Sequence, residues 1–331
     1  MSDSSMDGVA PPDGRLPCLS AVVVVGELRE RAGGCLRALL AQTRDARMEV
    51  VLADVAPEAG AIPGSDHPAV RLIRMSSGET FAGARAAAVR EARGPIVAFL
   101  EEHVRVRPGW AAAVLAAHRG PWAGVGGEVR NANPGVGRSD LTALLSYGIF
   151  APPLAPGESD LLPGHNSAYK REVLLGYGER LARLLGCDLV LMRRLRLDGH
   201  RLWVEPAAAI EHLNETSLRG ACDGVRLFNR CYAPLRAGEF RWSFARRLAY
   251  VALTPAIPVY FIAHFSRFLA RNNPRQLRLF LRNLGWVYLV ELAAALGQAA
   301  GLLFGAGDAP RRFSVYETTH PRPEQAEGPR T

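Results

Sequence analysis

The sequence predicts an α/β fold: a mostly parallel sheet with helices on both faces, followed by C-terminal hydrophobic helices. Three observations carry that prediction. Short apolar runs alternate with helical patterns between residues 19 and 100, as strands and crossover helices do in a parallel sheet. Ile96–Leu100 is an uninterrupted apolar run that stops abruptly at Glu101-Glu102-His103, which reads as a buried strand ending at a sheet edge. Beyond about Arg241 the composition changes to long stretches without charge, of a length that approaches a membrane span.

The elements follow in order. Leu19–Val25 is a Val-rich first strand, and Glu30–Gln42 has helical spacing with Leu36, Leu39 and Leu40 on one face. Glu49–Asp54 is a second strand ending in a carboxylate, and Val70–Met75 a third. Ala82–Ala92 is an Ala/Arg helix leading to the strand Gly94–Leu100. The β-α-β-β-α-β order fits a doubly covered sheet. No GxGxxG follows the first strand, so a nicotinamide-type dinucleotide site has no support. There is no internal repeat.

A net charge of +8 and a pI near 9.6 suit an anionic partner: a nucleotide, a nucleic acid or an acidic membrane surface. Nucleic acid is disfavoured, because the chain lacks both an aromatic-interleaved basic surface and a recognisable reading helix. The five cysteines show neither CxxC pairing nor zinc-type spacing, which predicts reduced thiols. Residues 1–17 are polar and rich in Ser, Asp, Gly and Pro. They read as a disordered leader and not a signal peptide, since no apolar stretch follows a charged start. The main domain is expected over 18–240, a membrane-associated helical segment over 241–305, and a disordered tail over 306–331. The sequence sets no oligomeric state.

Leu248–Phe265 runs without charge but is interrupted by Pro255 and Pro258, and Leu284–Phe304 is apolar except for Glu291 and Gln298. Between them Arg267, Arg271, Arg275, Arg278 and Arg282 recur every three or four positions beside Phe268, Leu277, Phe280 and Leu281. This is a basic amphipathic pattern, suited to anionic lipid phosphates. Asn272-Asn273-Pro274 separates two helices, with the proline in a first turn. Two full spans would put the arginines outside, against the tendency of Lys and Arg to stay cytosolic. A hairpin or interfacial helices on the inner leaflet is the favoured reading; a soluble helical subdomain is the other.

Glu101, Glu102 and His103 place hard ligands at the carboxyl end of a strand, where open α/β sheets bind ligands. That position suits a divalent metal and an anionic substrate; a solvated turn would show the same residues.

Taken together, residues from Leu19 to about Ser217 resemble the family 2 glycosyltransferases, which have the GT-A (Rossmann-like) fold. "CLRALLAQT" is similar to the family's first helix, and "EVVLAD" to the strand whose acid contacts the nucleotide base or ribose, implying that role for Asp54. "GARAAAVREARG" resembles the family's arginine segment and implies that Arg85 approaches the nucleotide. "FLEEH" lies where the metal-binding DxD lies, so the resemblance implies Glu101 and His103 as metal ligands with Glu102 between them on the donor. "LLPGHNSAYKREVL" is similar to the stretch lining the donor-sugar and acceptor pocket, which implies Gly164, His165 and Asn166. "GCDLVLMRRLRLDGHRL" resembles the helix that opens with the catalytic base, here Asp188, and "EPAAAIEHLNETS" supplies His212 near the metal and diphosphate.

The chemistry asks for these residue types. A nucleoside-diphosphate sugar leaves as a diphosphate, whose developing charge a divalent cation stabilises. Mg²⁺ or Mn²⁺ accepts carboxylate oxygens, and Mn²⁺ also tolerates imidazole. One carboxylate must take the proton of an attacking hydroxyl; as an N-terminal helix residue, Asp188 could equally be a cap. The chain departs from the family pattern at Val55, Ala86, Ala88 and Cys187, and it lacks the QxxRW of processive polymerases. The expectation is therefore an inverting, metal-dependent enzyme on the cytosolic membrane face. It would transfer a single sugar from a nucleotide-sugar donor to a lipid-linked or saccharide acceptor. The rival is a catalytically silent membrane scaffold or binding subunit.

Overall fold

Strand β1 (Leu19–Val25) is buried at every position, as expected of a β-branched run covered on both faces. It leads into α1 (Arg29–Leu40) and the short α2 (Thr43–Ala46). Strand β2 (Met48–Asp54) is equally buried, β3 (Val70–Arg74) is half-exposed at the sheet edge, and α3 (Phe81–Glu91) crosses back. Strand β4 (Ile96–Glu101) is followed by β5 (Val104–Val106), α4 (Trp110–Ala117), β6 (Gly124–Asn131) and α5 (Ser139–Tyr147). Then come β7 (Gly157–Ser159), β8 (Asn166–Lys170), α6 (Arg171–Leu175), α7 (Arg180–Leu184), α8 (Asp188–Leu197) and the long β9 (Leu202–His212). This computed structural model describes residues 16–76 and 78–323. The leader expected over 1–17 thus lies almost wholly outside the described residues.

The strands form one sheet in the order β3-β2-β1-β4-β8-β6-β9-β5, with β7 beside β9. The first four strands are parallel, as expected, and β6 runs parallel to β9. Strand β8 is antiparallel to both β4 and β6, so the parallel half gives way to a mixed half beside β4. Register places Val25 opposite Asp54, and Val24 opposite Glu101. The two carboxylates therefore stand one residue apart in register at the carboxyl edge of the parallel half, where ligands bind in such sheets.

The C-terminal third is helical. Helix α9 (Leu218–Glu239) is capped by Ser217, whose Oγ accepts from the Gly220 N–H at 3.0 Å. Helix α10 (Phe244–Ala252) is followed by α11 (Ile257–Asn272), and α12 (Pro274–Arg282) begins where Asn273 Oδ1 accepts from the Gln276 N–H. The arginine pattern is thus split over two helices at Asn273-Pro274, as the sequence predicts. Helix α13 (Leu284–Phe304) is long and apolar enough to cross a membrane; α10 and α11 pass that test only as a pair bent by 49°. Helix α13 packs along α9 through small residues. A Cβ on Gly297 would come 2.4 Å from the Arg226 carbonyl, and one on Gly301 2.7 Å from that of Arg230.

One expectation is corrected. The tail predicted as disordered from residue 306 instead forms α14 (Ala309–Thr319), which returns to the sheet domain. Thr318 packs on Gly26 at the end of β1, Ser314 Oγ accepts from the Phe81 N–H at 2.8 Å, and Tyr316 OH donates to the Gly220 carbonyl at 2.9 Å. A polar, proline-flanked stretch is read as disordered when its few apolar groups have no visible partner. Here the partners are α3, α9 and the first strand. Residues 324–331 of that expected tail lie outside the described residues.

Candidate active site

The end of β4, the first turn of α8, the β8 approach loop, the end of β9 and the C-terminal segment converge on one cavity of about 780 Å³. Glu101, Arg85, Gly164, His165, Asp188 and His212 all line it. Six residues spread over 128 positions of sequence thus line one cavity.

Asp188 is the first residue of α8, after Cys187 in extended conformation. The Arg85 guanidinium donates to its carboxylate at 3.2 Å and 3.5 Å. Burial pushes its carboxyl above the usual carboxylate range, against the opposing pull of Arg85. Arg85 is itself fixed, lying 4.5 Å from the Phe81 ring centre and 5.1 Å from that of Phe99. Gly164 sits so close that an added Cβ would come 2.0 Å from Asp188 Oδ2. Only glycine allows the carboxylate this position. Arg85 therefore serves the acid of α8.

Glu101 Oε2 lies 3.0 Å from His103 Nε2 and 3.2 Å from His212 Nε2, and the two imidazoles approach to 3.0 Å. His212 Nδ1 is oriented by Asn214 Oδ1 at 3.0 Å. The His165 ring lies tilted 4.0 Å from that of Tyr147 and edge-on 4.5 Å from that of His212. Burial raises the Glu101 carboxyl, but hydrogen bonding to His103 and His212 outweighs it and holds the group well below the usual range. Burial keeps His103 and His165 neutral, with Arg322 adding to the effect at His103. A carboxylate among buried imidazoles is a donor set for a borderline divalent cation.

Two groups of ligand atoms lie within 4.8 Å of one another: Glu101, His165 and His212, and Glu101, His103 and Glu317. Arg322 already stands against the second, with Nη1 2.9 Å from each ring nitrogen of His103 and Nη2 2.7 Å from Glu317. The first group contains His165 Nε2, a buried ring nitrogen with no hydrogen-bond partner among the described residues. An orphaned buried nitrogen beside a carboxylate is a reason to expect a cation. Glu101, His165 and His212 fit a divalent metal; His165 thus joins the metal cluster, where the resemblance puts it on the donor.

Three sequence candidates are placed elsewhere. Glu102 is buried away from the cavity, accepting from the Gly26 N–H at 2.9 Å and from Arg31. Asp54 is 3 % exposed and holds Arg29 at 2.9 and 3.2 Å while accepting from the Ala56 N–H. Asn166 ties β8 to its neighbours, accepting from Trp110 Nε1 at 2.9 Å and donating to the Ala208 carbonyl at 2.8 Å. The sequence reading missed Tyr147, Glu317 and Arg322. Phe313, Tyr316 and His320 fall at helical spacing, the one signal that residues beyond 306 form an element.

Residues 21–178 match the glycosyl transferase family 2 model. No curated protein matches the chain. Among solved structures it is similar to the mannosyltransferase PcManGT from Pyrobaculum calidifontis, in complex with GDP-Man and Mn²⁺. The identity is 17 %, the TM-score 0.52, and the match covers 86 % of this chain and 89 % of that one. Residues 21–178 are thus similar to a family 2 glycosyl transferase domain, and the chain shares the GT-A fold of that solved structure.

Proposed function

We propose that the protein transfers one glycosyl unit from a nucleoside-diphosphate sugar to a lipid-linked acceptor, with inversion, at the cytosolic face of a membrane. The observation that carries this reading is the make-up of the cavity that holds Asp188. Asp188 and Arg85 stand on one side, the Glu101–histidine cluster on another, and α9 and α13 add Phe228, Trp286, Val290 and Ala294, a largely apolar wall interrupted by Asn229, Glu291 and Gln298. A polar centre opening onto apolar helices suits an acceptor with a lipid tail better than a free saccharide.

Asp188 is placed to take the proton of an acceptor hydroxyl. Arg85 keeps it anionic, and burial raises its basicity toward the working range. A single base, with a leaving group held on the far side of the sugar, gives direct displacement and inversion at the anomeric carbon. Glu101, His165 and His212 would hold Mn²⁺ or Mg²⁺, which when bound supplies positive charge to the diphosphate leaving group. Exposed Phe244, Leu253, Tyr260 and Phe304, together with the arginines of α11 and α12, suit an anionic bilayer surface.

The test is turnover of a panel of UDP-, GDP- and dTDP-sugars with a lipid phosphate or a soluble saccharide as acceptor, each with Mn²⁺ and with chelator. Metal-dependent transfer to the lipid is expected. Transfer only to saccharide would remove the lipid-linked part; donor binding without turnover would make the protein a silent scaffold.

A further inference from the structure

A second cavity, of about 930 Å³, lies at the start of α1, lined by residues 27–31, by Thr216 and Ser217, and by residues 320–323. Glu215 and Arg322 line both this cavity and the one that holds Asp188. A nucleoside-diphosphate sugar carries its two phosphates in the middle. With its sugar beside Asp188 and its nucleoside over α1, it must pass the diphosphate across that junction.

We propose that Arg322, delivered by the C-terminal segment, binds the donor's diphosphate at this junction. The inference rests on the nucleotide-sugar reading above and names a residue of that site which no motif marks. The guanidinium is 6 % exposed, with one arm on Glu317 and the other against the His103 ring. An imidazole ring does not match the planar fork of a guanidinium, whereas phosphate oxygens match both its fork and its charge. The backbone on either side is anchored. Arg31 donates to the carbonyls of Glu317 at 2.9 Å and His320 at 3.0 Å, and Asn133 donates to that of Pro323 at 3.0 Å. Glu317 would be satisfied by an exposed arginine on the same segment; a structural ion pair does not require the guanidinium to stand between two cavities.

Full-length protein with Mn²⁺ is titrated with inorganic pyrophosphate, GDP and UDP by calorimetry, and with guanosine and uridine as phosphate-free controls. Losing a charge-assisted bond should weaken pyrophosphate and nucleoside diphosphate binding about ten- to a hundredfold in Arg322→Ala. Nucleoside binding should not change, and Arg322→Lys should recover part of the loss. If Arg322→Ala does not fold, Arg322→Gln carries the same expectation. Unchanged pyrophosphate affinity would overturn the proposal and leave the segment a structural strap. Tighter binding would overturn it in favour of a blocking contact. If the parent binds neither pyrophosphate nor any nucleoside diphosphate, the donor reading itself fails and takes this inference with it.

Discussion

Asp188 sits under two opposing influences, burial raising its pKa and Arg85 lowering it. That balance gives a pH prediction with a definite sign. The base must be ionised to act, so removing the arginine in Arg85→Met should move the acid limb of the kcat/KM profile to higher pH. With a saccharide acceptor, Asp188→Asn should lower kcat on the order of 10²–10⁴-fold, the usual range for general-base catalysis. A lipid phosphate is already ionised near neutral pH, so transfer to it should stay within about tenfold. Gly164→Ala should cost as much as the asparagine variant while leaving donor affinity intact, because its methyl group needs the space of Asp188 Oδ2; steady-state kinetics with isothermal donor titration separates the two effects. The thiol of Cys187, pushed up to about 12 by burial, should resist iodoacetamide at pH 8 in the folded protein, as peptide mass mapping would show. Single positions were legible where chemistry is local. Asp188 and Gly164 were found because a motif marks them, and they prove to touch. Asp54, Glu102 and Asn166 carry the same motifs yet are engaged in buried hydrogen bonds, a difference that residue type alone does not show.

Among the elements, the parallel half of the sheet was the most readable, because β1, β2 and β4 are continuous apolar runs with no rival interpretation. The mixed half was not read. Strand β8 is short and polar at its start, and its antiparallel place between β4 and β6 depends on pairing partners more than 35 residues away. Helix α14 escaped for a similar reason: its contacts with α1, α3 and α9 span 96 to 289 positions. The packing of α13 on α9 turns on two glycines. Gly301→Leu would drive a side chain into the Arg230 carbonyl and should cost about 1–3 kcal/mol in a denaturant titration. The same substitution at Gly285, where an added Cβ meets nothing within 4 Å, should be close to neutral. Equal losses at both sites would mean that α13 is not held by close backbone approach.

At the scale of the whole molecule, the exposed arginines at 267, 271, 275, 278 and 282 and the bare apolar side chains of α10 and α11 should bring the protein to anionic vesicles. Flotation should be strong with acidic lipid, weak with neutral lipid, and reduced when the five arginines become glutamine, each contributing on the order of 1 kcal/mol. Protein remaining in the soluble fraction at low salt without detergent would reduce the C-terminal helices to a plain subdomain.

The return of α14 to the end of β1 also imposes an order on biosynthesis. The strands that carry Glu101 and His212 leave the ribosome well before the helices that wall the cavity, and the residues that join its two chambers emerge after both. A nascent chain therefore holds the sheet but lacks a finished pocket until α9 to α13 have found their places. Only when residues 309–323 dock on Gly26 and Phe81 is that wall closed. Helices left unseated, as through a fault at Gly301, would leave a folded sheet with an open site.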